Sequence, residues 1–197
     1  MSSEPQSTRE RILAAALNLL EDGTGNAIRM SDIAKAAHVS RQALYLHFKT
    51  RAELLIETTY YVDRIKGSEA RLLPSRTAKT GEARLDAFVE AWGNYIPEIY
   101  GAAKAFMTLR ETDAEAADAW STRMQDMREG CAAAIEALAR DGTLSPNLPP
   151  ERATDLLWTL LSVRNWEQLT QTCGWSRKDY VEEMKATVRR LFVACGG

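Results

Sequence analysis

Residues 31–55 decide the fold of this chain, and they read SDIAKAAHVSRQALYLHFKTRAELL. The apolar spacing predicts two short helical segments, 31–37 and 41–48, which flank a tight break at His38-Val39-Ser40. A longer helix follows from residue 51, and another longer helix precedes the stretch. Two short helices joined by a turn of this kind, packed on a longer helix, predict a helix-turn-helix arrangement.

The second short helix has two chemically different faces. Leu44 and Phe48 are apolar and lie four residues apart, so we expect both side chains to face inward. Arg41 and Tyr45 have the same spacing and point the other way, with Gln42 beside them. The outward face is therefore polar and able to form hydrogen bonds with a partner.

A short helix of this kind fits the DNA major groove, with its N-terminal residues nearest the base edges. Arg41 can bind guanine through two hydrogen bonds, Gln42 can bind adenine in the same way, and Ala43 can touch a thymine methyl group. Polar side chains nearby, and free N–H groups where helices start, suit phosphate oxygens. The candidate DNA-binding residues are Arg29, Ser31, Ser40, Arg41, Gln42, Ala43, Tyr45, His47, Lys49 and Arg51. The alternative is a solvated face on a small helical bundle.

The stretch from Ile33 to Leu55 resembles the DNA-binding head of the tetracycline-repressor (TetR) family, and the resemblance covers about residues 8–56. It rests on Val-Ser at the turn, Leu-Tyr, an aromatic residue before Lys, and Glu-Leu-Leu after a short break. The resemblance implies an all-helical homodimeric regulator, usually a repressor. It also implies a C-terminal domain that binds a small ligand and releases the protein from a palindromic operator.

Two positions depart from the family's pattern. His38 occupies a turn position where Gly is usual, and we expect the turn to survive because His enters left-handed backbone more readily than most residues. Arg29 stands where a Ser or Thr cap is common, so the first short helix is expected to lack its usual N-cap. Arg29 is therefore either a phosphate contact or a structural compromise.

The rest of the chain is predicted to be helical almost throughout, which makes the fold class all-α. We expect a DNA-binding domain over residues 1–56 and a helical ligand-binding and dimerisation domain over 57–197. Capping boxes are predicted at Ser7 with Glu10, Thr50 with Glu53, and Ser176 with Asp179, and Asp22-Gly23 is expected to end the first helix. The later helices are predicted over about 51–67, 82–139 with interruptions at Pro97 and near Thr112, 151–172 and 177–194, with connectors at 73–81 and 141–150.

Composition is that of an ordinary globular protein. The 197 residues are 45% hydrophobic and 26% charged, and we find neither a membrane-spanning run nor a signal peptide. Cys131, Cys173 and Cys195 are scattered and odd in number, which favours reduced thiols and a cytoplasmic location. Residues 1–51 hold seven Lys and Arg against five Asp and Glu, whereas the remainder is acidic. A mildly basic head on an acidic body is typical of a DNA-reading head with a separate sensing body.

The C-terminal part of the chain offers candidates for a small-molecule site. Apolar and aromatic side chains at helical spacing suit a hydrophobic or aromatic effector, although such residues more often form a core. The candidate ligand-binding residues are Trp92, Tyr95, Phe106, Met107, Arg110, Met124, Met127, Trp158, Arg164 and Trp166, with the two arginines as polar anchors.

The last two predicted helices carry apolar stripes, and the resemblance to the TetR family implies that two such helices from each of two copies form a four-helix dimer interface. The candidate interface residues are Leu157, Leu161, Tyr180, Met184, Val188 and Leu191. The alternative is that both stripes serve only the core of one chain. A two-fold dimer would place two recognition helices about 34–36 Å apart, one turn of DNA.

The sequence offers little support for an enzyme. There is no Gly-rich phosphate loop and no Glu-x-x-His pair for a di-metal site, so we expect neither a cofactor nor a metal. Cys131 is predicted to be a buried, inert thiol, with a redox sensor as the alternative. Two other classes stay open: a helical module that binds a protein partner, and a carrier of small hydrophobic molecules without specific DNA binding.

Overall fold

The fold is taken from a computed structural model, which describes residues 7–22 and 28–194. These residues form ten α-helices, and they contain no strand beyond an isolated bridge between Leu144 and Val193. The helices are α1 (Thr8–Glu21), α2 (Met30–Ala36), α3 (Arg41–His47), α4 (Arg51–Ile65), α5 (Ser68–Arg76), α6 (Gly81–Leu109), α7 (Ala114–Arg140), α8 (Pro150–Leu160), α9 (Val163–Glu167) and α10 (Arg177–Phe192), with a π-helical turn at Gln168–Thr172 after α9. The all-α prediction is confirmed.

Local capping explains where several helices begin. Ser7 and Glu10 form a reciprocal capping box at α1, and Ser176 and Asp179 form one at α10. Thr50 caps α4 by accepting a hydrogen bond from the Glu53 amide, but the Glu53 carboxylate accepts from the Lys49 amide instead. Each Ser or Thr satisfies a donor that the first helical turn leaves free.

The described chain divides into two compact units. The first contains residues 7–22, 28–66 and 99–124, and the second contains 67–98 and 125–194. Helices α6 and α7 therefore contribute to both units. The sequence predicted a division at residue 56, and that division of function stays a prediction. As a compact body, however, the N-terminal head extends to residue 66 and includes 99–124.

The first unit has a continuous apolar core. Helix α1 packs against α4 and α2, and α2 packs against α3. Fully buried side chains come from each of these helices, among them Ile12, Ile33, Leu44 and Leu54. This core fixes α3 on one side, so the opposite side of α3 faces solvent.

The second unit has its own core, built mainly from α6, α7, α8 and α10. The Trp92 indole N–H donates to the Leu161 carbonyl at 2.6 Å, which satisfies a buried donor. Gly93 allows α10 to lie close to α6, since an added Cβ would stand 2.9 Å from the Val181 side chain. Tyr180 is fully buried beside this contact, and its hydroxyl has no hydrogen-bond partner.

Two predictions about where helices are interrupted were wrong. The segment 73–81 was expected to be a connector, but α5 continues to Arg76 through Pro74. Helix α6 also continues through Pro97, since burial of its neighbours Tyr95 and Ile96 offsets the one hydrogen bond that proline removes. The interruption near Thr112 is confirmed.

The long helix predicted over 151–172 is also interrupted. It stops at Leu160 and restarts at Val163, because Ser162 takes an extended backbone and its hydroxyl caps the next turn through the Asn165 amide. Helix α1 ends at Glu21 with Asp22 as its C-cap, and Gly23 lies outside the described residues.

Candidate nucleic-acid interface

The turn between α2 and α3 is held by bonds from its own backbone and from α1. His38 has φ 53°, the left-handed conformation that the sequence predicted. The Val39 amide donates to the Ala34 carbonyl at 3.0 Å, which closes the turn. The Arg11 guanidinium on α1 donates to the Ala37 carbonyl at 2.9 Å and the His38 carbonyl at 3.2 Å. Sequence reasoning missed Arg11, because its bonds join residues 26 and 27 positions apart.

The start of α3 is fixed by its N-cap. The Ser40 hydroxyl accepts a hydrogen bond from the Ala43 amide at 3.0 Å. Leu44 and Phe48 are fully buried, as predicted, and anchor the inner face. The Arg9 guanidinium lies 4.9 Å from the centroid of the Phe48 ring and supports the end of the helix from outside.

The structure places most of the predicted DNA-binding side chains at the surface of the first unit. Eight of them belong to exposed residues, namely Arg29, Ser31, Ser40, Arg41, Gln42, Tyr45, His47 and Lys49. Ala43 is half-buried. Arg29 precedes α2 without a side-chain cap bond, as the sequence predicted. Six of the eight lie on α3 or within two residues of its ends, whereas Arg29 and Ser31 lie at the start of α2. An exposed polar helix of this kind is what groove binding needs.

Arg51 differs from this set, because its guanidinium already donates hydrogen bonds to other groups of the protein. It donates to the Asp113 carboxylate at 3.0 and 2.6 Å and to the Glu115 carboxylate at 2.7 Å. Its Nε donates to the Ile28 carbonyl at 2.5 Å. The side chain is 14% exposed and that of Asp113 is 9% exposed. Four of its five N–H groups are used in these bonds. A phosphate contact at Arg51 would therefore fall to the backbone N–H groups that open α4, and that contact stays a prediction.

Asp113 serves two structural roles at once. Its carboxylate accepts the Arg51 bonds and also the Ala116 amide at 3.1 Å, so it caps the start of α7. The hydrogen bonds from Arg51 hold the pKa of the Asp113 carboxyl below its ordinary value, because they favour the charged form. Arg51 and Asp113 therefore join the N-terminus of α4 to that of α7 within the first unit.

The predicted ligand-binding residues fall in both compact units. Phe106, Met107, Arg110 and Met124 belong to the first, and Trp92, Tyr95, Met127, Trp158, Arg164 and Trp166 belong to the second. Most of the apolar members are buried, but Arg110 and Arg164 are exposed. The two arginines are therefore surface residues, and their role as polar anchors of a ligand site stays a prediction.

The predicted dimer residues are mostly core residues of a single chain. Leu157, Leu161, Tyr180, Met184 and Val188 are buried within the protomer, so a second copy could reach them only by opening that core. This burial corrects their assignment to an interface. Leu191 is 44% exposed and stays available, and Leu156, which the prediction omitted, is 43% exposed.

Cys131 has the environment of an inert thiol. It is fully buried on α7, with its Sγ 3.8 Å from the Met127 sulfur. Burial raises the pKa of the Cys131 thiol to about 12, so the reactive thiolate is scarce at neutral pH. Cys173 is exposed, and Cys195 lies outside the described residues.

Comparison with known proteins agrees with this geometry. Residues 12–58 match the family model described as bacterial regulatory proteins, tetR family. The HTH-type transcriptional regulator EthR of Mycobacterium tuberculosis H37Rv is 31% identical over 150 residues, which cover 74% of this chain and 68% of EthR. The chain therefore belongs to the tetR family, whose members are ligand-responsive, DNA-binding transcriptional regulators.

Solved structures share the fold. A TetR-family regulator from Rhodococcus sp. matches with a TM-score of 0.73 and 21% identity, over 93% of this chain and 97% of that one. NalD of Pseudomonas aeruginosa, described as the secondary repressor of the MexAB-OprM multidrug efflux pump, matches with a TM-score of 0.69 and 23% identity, over 96% and 98%. Within residues 7–22 and 28–194, no helix is long and apolar enough to span a membrane. The same residues contain no cluster of side chains suited to hold a metal ion.

Proposed function

We propose that this protein is a repressor that binds a palindromic operator as a homodimer and is released by a small hydrophobic or aromatic molecule. One observation carries the proposal: the outer face of α3 is exposed and hydrogen-bonding, while Leu44 and Phe48 hold its inner face in the core. The family relation supports the regulatory role, and NalD is an example of a repressor with this fold. We assign the protein to the cytoplasm.

The predicted DNA-binding residues on α3 and near it have separate proposed roles. Arg41 and Gln42 read bases through paired hydrogen bonds, and Ala43 contacts a thymine methyl group. Tyr45, His47 and Lys49 bind phosphate oxygens, as do Arg29, Ser31 and Ser40 at the starts of α2 and α3. These phosphate contacts fix the register of the helix on the duplex without reading its sequence.

Arg51 acts in this proposal as a positioning residue. Its bonds to Asp113 and Glu115 neutralise its charge and hold the first turn of α4, which directly follows the DNA-reading helix. The proposed effector signal passes through α4, because this helix follows the DNA-reading helix and ends where the chain passes from the first unit to the second. Binding of an effector then favours a conformation of the dimer that does not match the operator.

The proposed dimer surface uses exposed residues of α8 and α10 in place of the buried stripe. Leu156 and Leu191 are large apolar side chains that the protomer leaves open to solvent. We expect the protein to behave as a dimer in light scattering and the single substitutions Leu156→Lys or Leu191→Lys to weaken that dimer. Ala186→Lys on α10 is an exposed control. A monomeric parent protein would contradict the proposal.

Selection against random duplex DNA tests the proposed function. The purified protein is first stripped of bound small molecules and then selected at near-physiological salt, because phosphate contacts weaken as salt rises. We expect one enriched inverted repeat. Recovery of all sequences equally, or of none, favours the protein-partner module if the dimer is intact, and tight binding of apolar dyes without any DNA coupling favours the carrier.

A further inference from the structure

Leu46 is the most exposed of the large hydrophobic residues in the described part of the chain. Its exposed fraction is 71%, against 41% for Tyr45 and 0% for Leu44. An exposed leucine has no role in the core of the first unit. Its position on the DNA-reading helix raises the question of which partner covers it.

The geometry of α3 places Leu46 at the middle of the outward face. Successive residues of an α-helix are about 100° apart, so residues two positions before and after Leu44 lie about 200° around from it. Those residues are Gln42 and Leu46. Because Leu44 points directly into the core, these two side chains point most directly away from it. The remaining members of the helix lie on its flanks.

Gln42 and Leu46 also lie one above the other, since residues four apart share a helix face. The polar member is near the capped N-terminus, and the apolar member is one turn further along. A duplex major groove offers matching chemistry, because adenine presents a donor and an acceptor while thymine presents its C5-methyl group. The methyl group is the apolar feature of the groove edge that a leucine can cover.

We propose that Leu46 is a specificity-determining residue that packs on a thymine methyl group in the operator, one turn along α3 from the base read by Gln42. This inference rests on the proposed function of α3 and adds a base contact to it. It predicts a thymine preference at a second operator position, separate from the contact proposed for Ala43, which is half-buried on the flank of the helix.

The experiment removes the methyl group from the DNA and the side chain from the protein, singly and together. Each thymine of the selected operator is replaced in turn by deoxyuridine, and affinity is measured for the parent protein and for Leu46→Ala. Burial of one methyl group accounts for about a fourfold change in affinity per half-site. At one position, we expect deoxyuridine to lower the affinity of the parent protein about fourfold and to leave the affinity of Leu46→Ala unchanged.

Two control variants define the result. Leu73→Ala removes another exposed leucine, 57% exposed on α5, and is expected to keep the parent response to deoxyuridine. Ala43→Gly tests the competing contact, with helix content checked by circular dichroism because glycine weakens helices. The inference is overturned if no deoxyuridine position loses its effect in Leu46→Ala, or if the effect disappears in Ala43→Gly alone. If either outcome occurs while the parent protein still binds one DNA sequence specifically, the proposed function is unaffected. If the parent protein binds no sequence specifically, the proposed function and this inference are both overturned.

Discussion

The Arg51 guanidinium holds the Asp113 carboxylate through two hydrogen bonds of 3.0 and 2.6 Å, although the residues are 62 positions apart. Arg51 opens α4 and Asp113 caps α7, so the pair connects the DNA-binding segment to helices that the sequence assigned to the other domain. Both side chains are largely shielded from water, which makes the interaction stronger than that of an exposed ion pair.

Loss of this pair is expected to lower stability without removing a DNA contact. Asp113→Asn keeps a side-chain oxygen that can cap α7 but removes the charge that faces Arg51. We expect the free energy of unfolding to fall by about 1–3 kcal/mol, because a charge-assisted hydrogen bond is lost. Denaturant titration measures this change, and Asp118→Asn on the exposed face of α7 is the matched control.

The salt dependence of operator binding by Arg51→Ala distinguishes a positioning role for Arg51 from a phosphate contact. If Arg51 positions α4, Arg51→Ala weakens operator binding but leaves the slope of log affinity against log salt unchanged. A slope that falls by about 0.9 would instead identify Arg51 as a phosphate ligand. Lys49→Ala is the positive control, since Lys49 is exposed and is expected to show that decrease.

Stability is expected to depend on pH through Asp113. The Arg51 hydrogen bonds lower the pKa of the Asp113 carboxyl in the folded state. Its contribution to the free energy of unfolding is therefore present above the unfolded-state pKa of 3.8 and is lost as the pH falls through the folded-state pKa. The difference in unfolding free energy between the parent protein and Asp113→Asn should therefore be constant near neutrality and shrink below about pH 4. A difference that persists unchanged through that range would show that the charge of Asp113 contributes nothing.

Substitutions of base-reading and of phosphate-binding residues are expected to change DNA binding in different ways. Gln42→Ala should relax base preference at one operator position by about 1–3 kcal/mol, because a paired hydrogen bond to adenine is lost. Tyr45→Phe should weaken binding to all duplexes alike, since phosphates carry no sequence information. Affinities for the operator and for its single-base variants separate the two cases. A uniform loss in Gln42→Ala would move Gln42 to the phosphate-binding group.

Gly81 at the start of α6 is expected to tolerate no larger residue. An added Cβ would lie 2.6 Å from the Leu138 backbone nitrogen and 2.7 Å from the Ala137 carbonyl oxygen, and backbone cannot move aside as a flexible side chain can. We expect Gly81→Ala to cost about 1–3 kcal/mol of stability by overpacking. Gly101→Ala on the same helix is the control, because its nearest neighbour is the flexible Glu21 carboxylate and alanine favours helix. Equal stability of the two variants would contradict the close approach at Gly81.

The sequence alone determined the features that depend on residues a few positions apart. The left-handed His38, the inward direction of Leu44 and Phe48, and the caps at Ser7 and Ser176 all follow from residue type and spacing within about one helical turn. Such interactions leave a periodic pattern or a local motif in the sequence. The exposed face of α3 followed from the same periodicity.

Only the tertiary structure decided which groups far apart in the chain contact one another. The sequence does not reveal the partners of the Arg51 guanidinium, and only the fold brings Asp113, Glu115 and the Ile28 carbonyl to it. The apolar stripe of α10 reads as an interface until the fold of a single protomer covers it and leaves Leu191 at the surface. Apolar periodicity in the sequence indicates that a helix face is buried, and a charged residue indicates that a partner group or solvent is needed. Neither names the partner, because that choice depends on contacts between residues far apart in the chain.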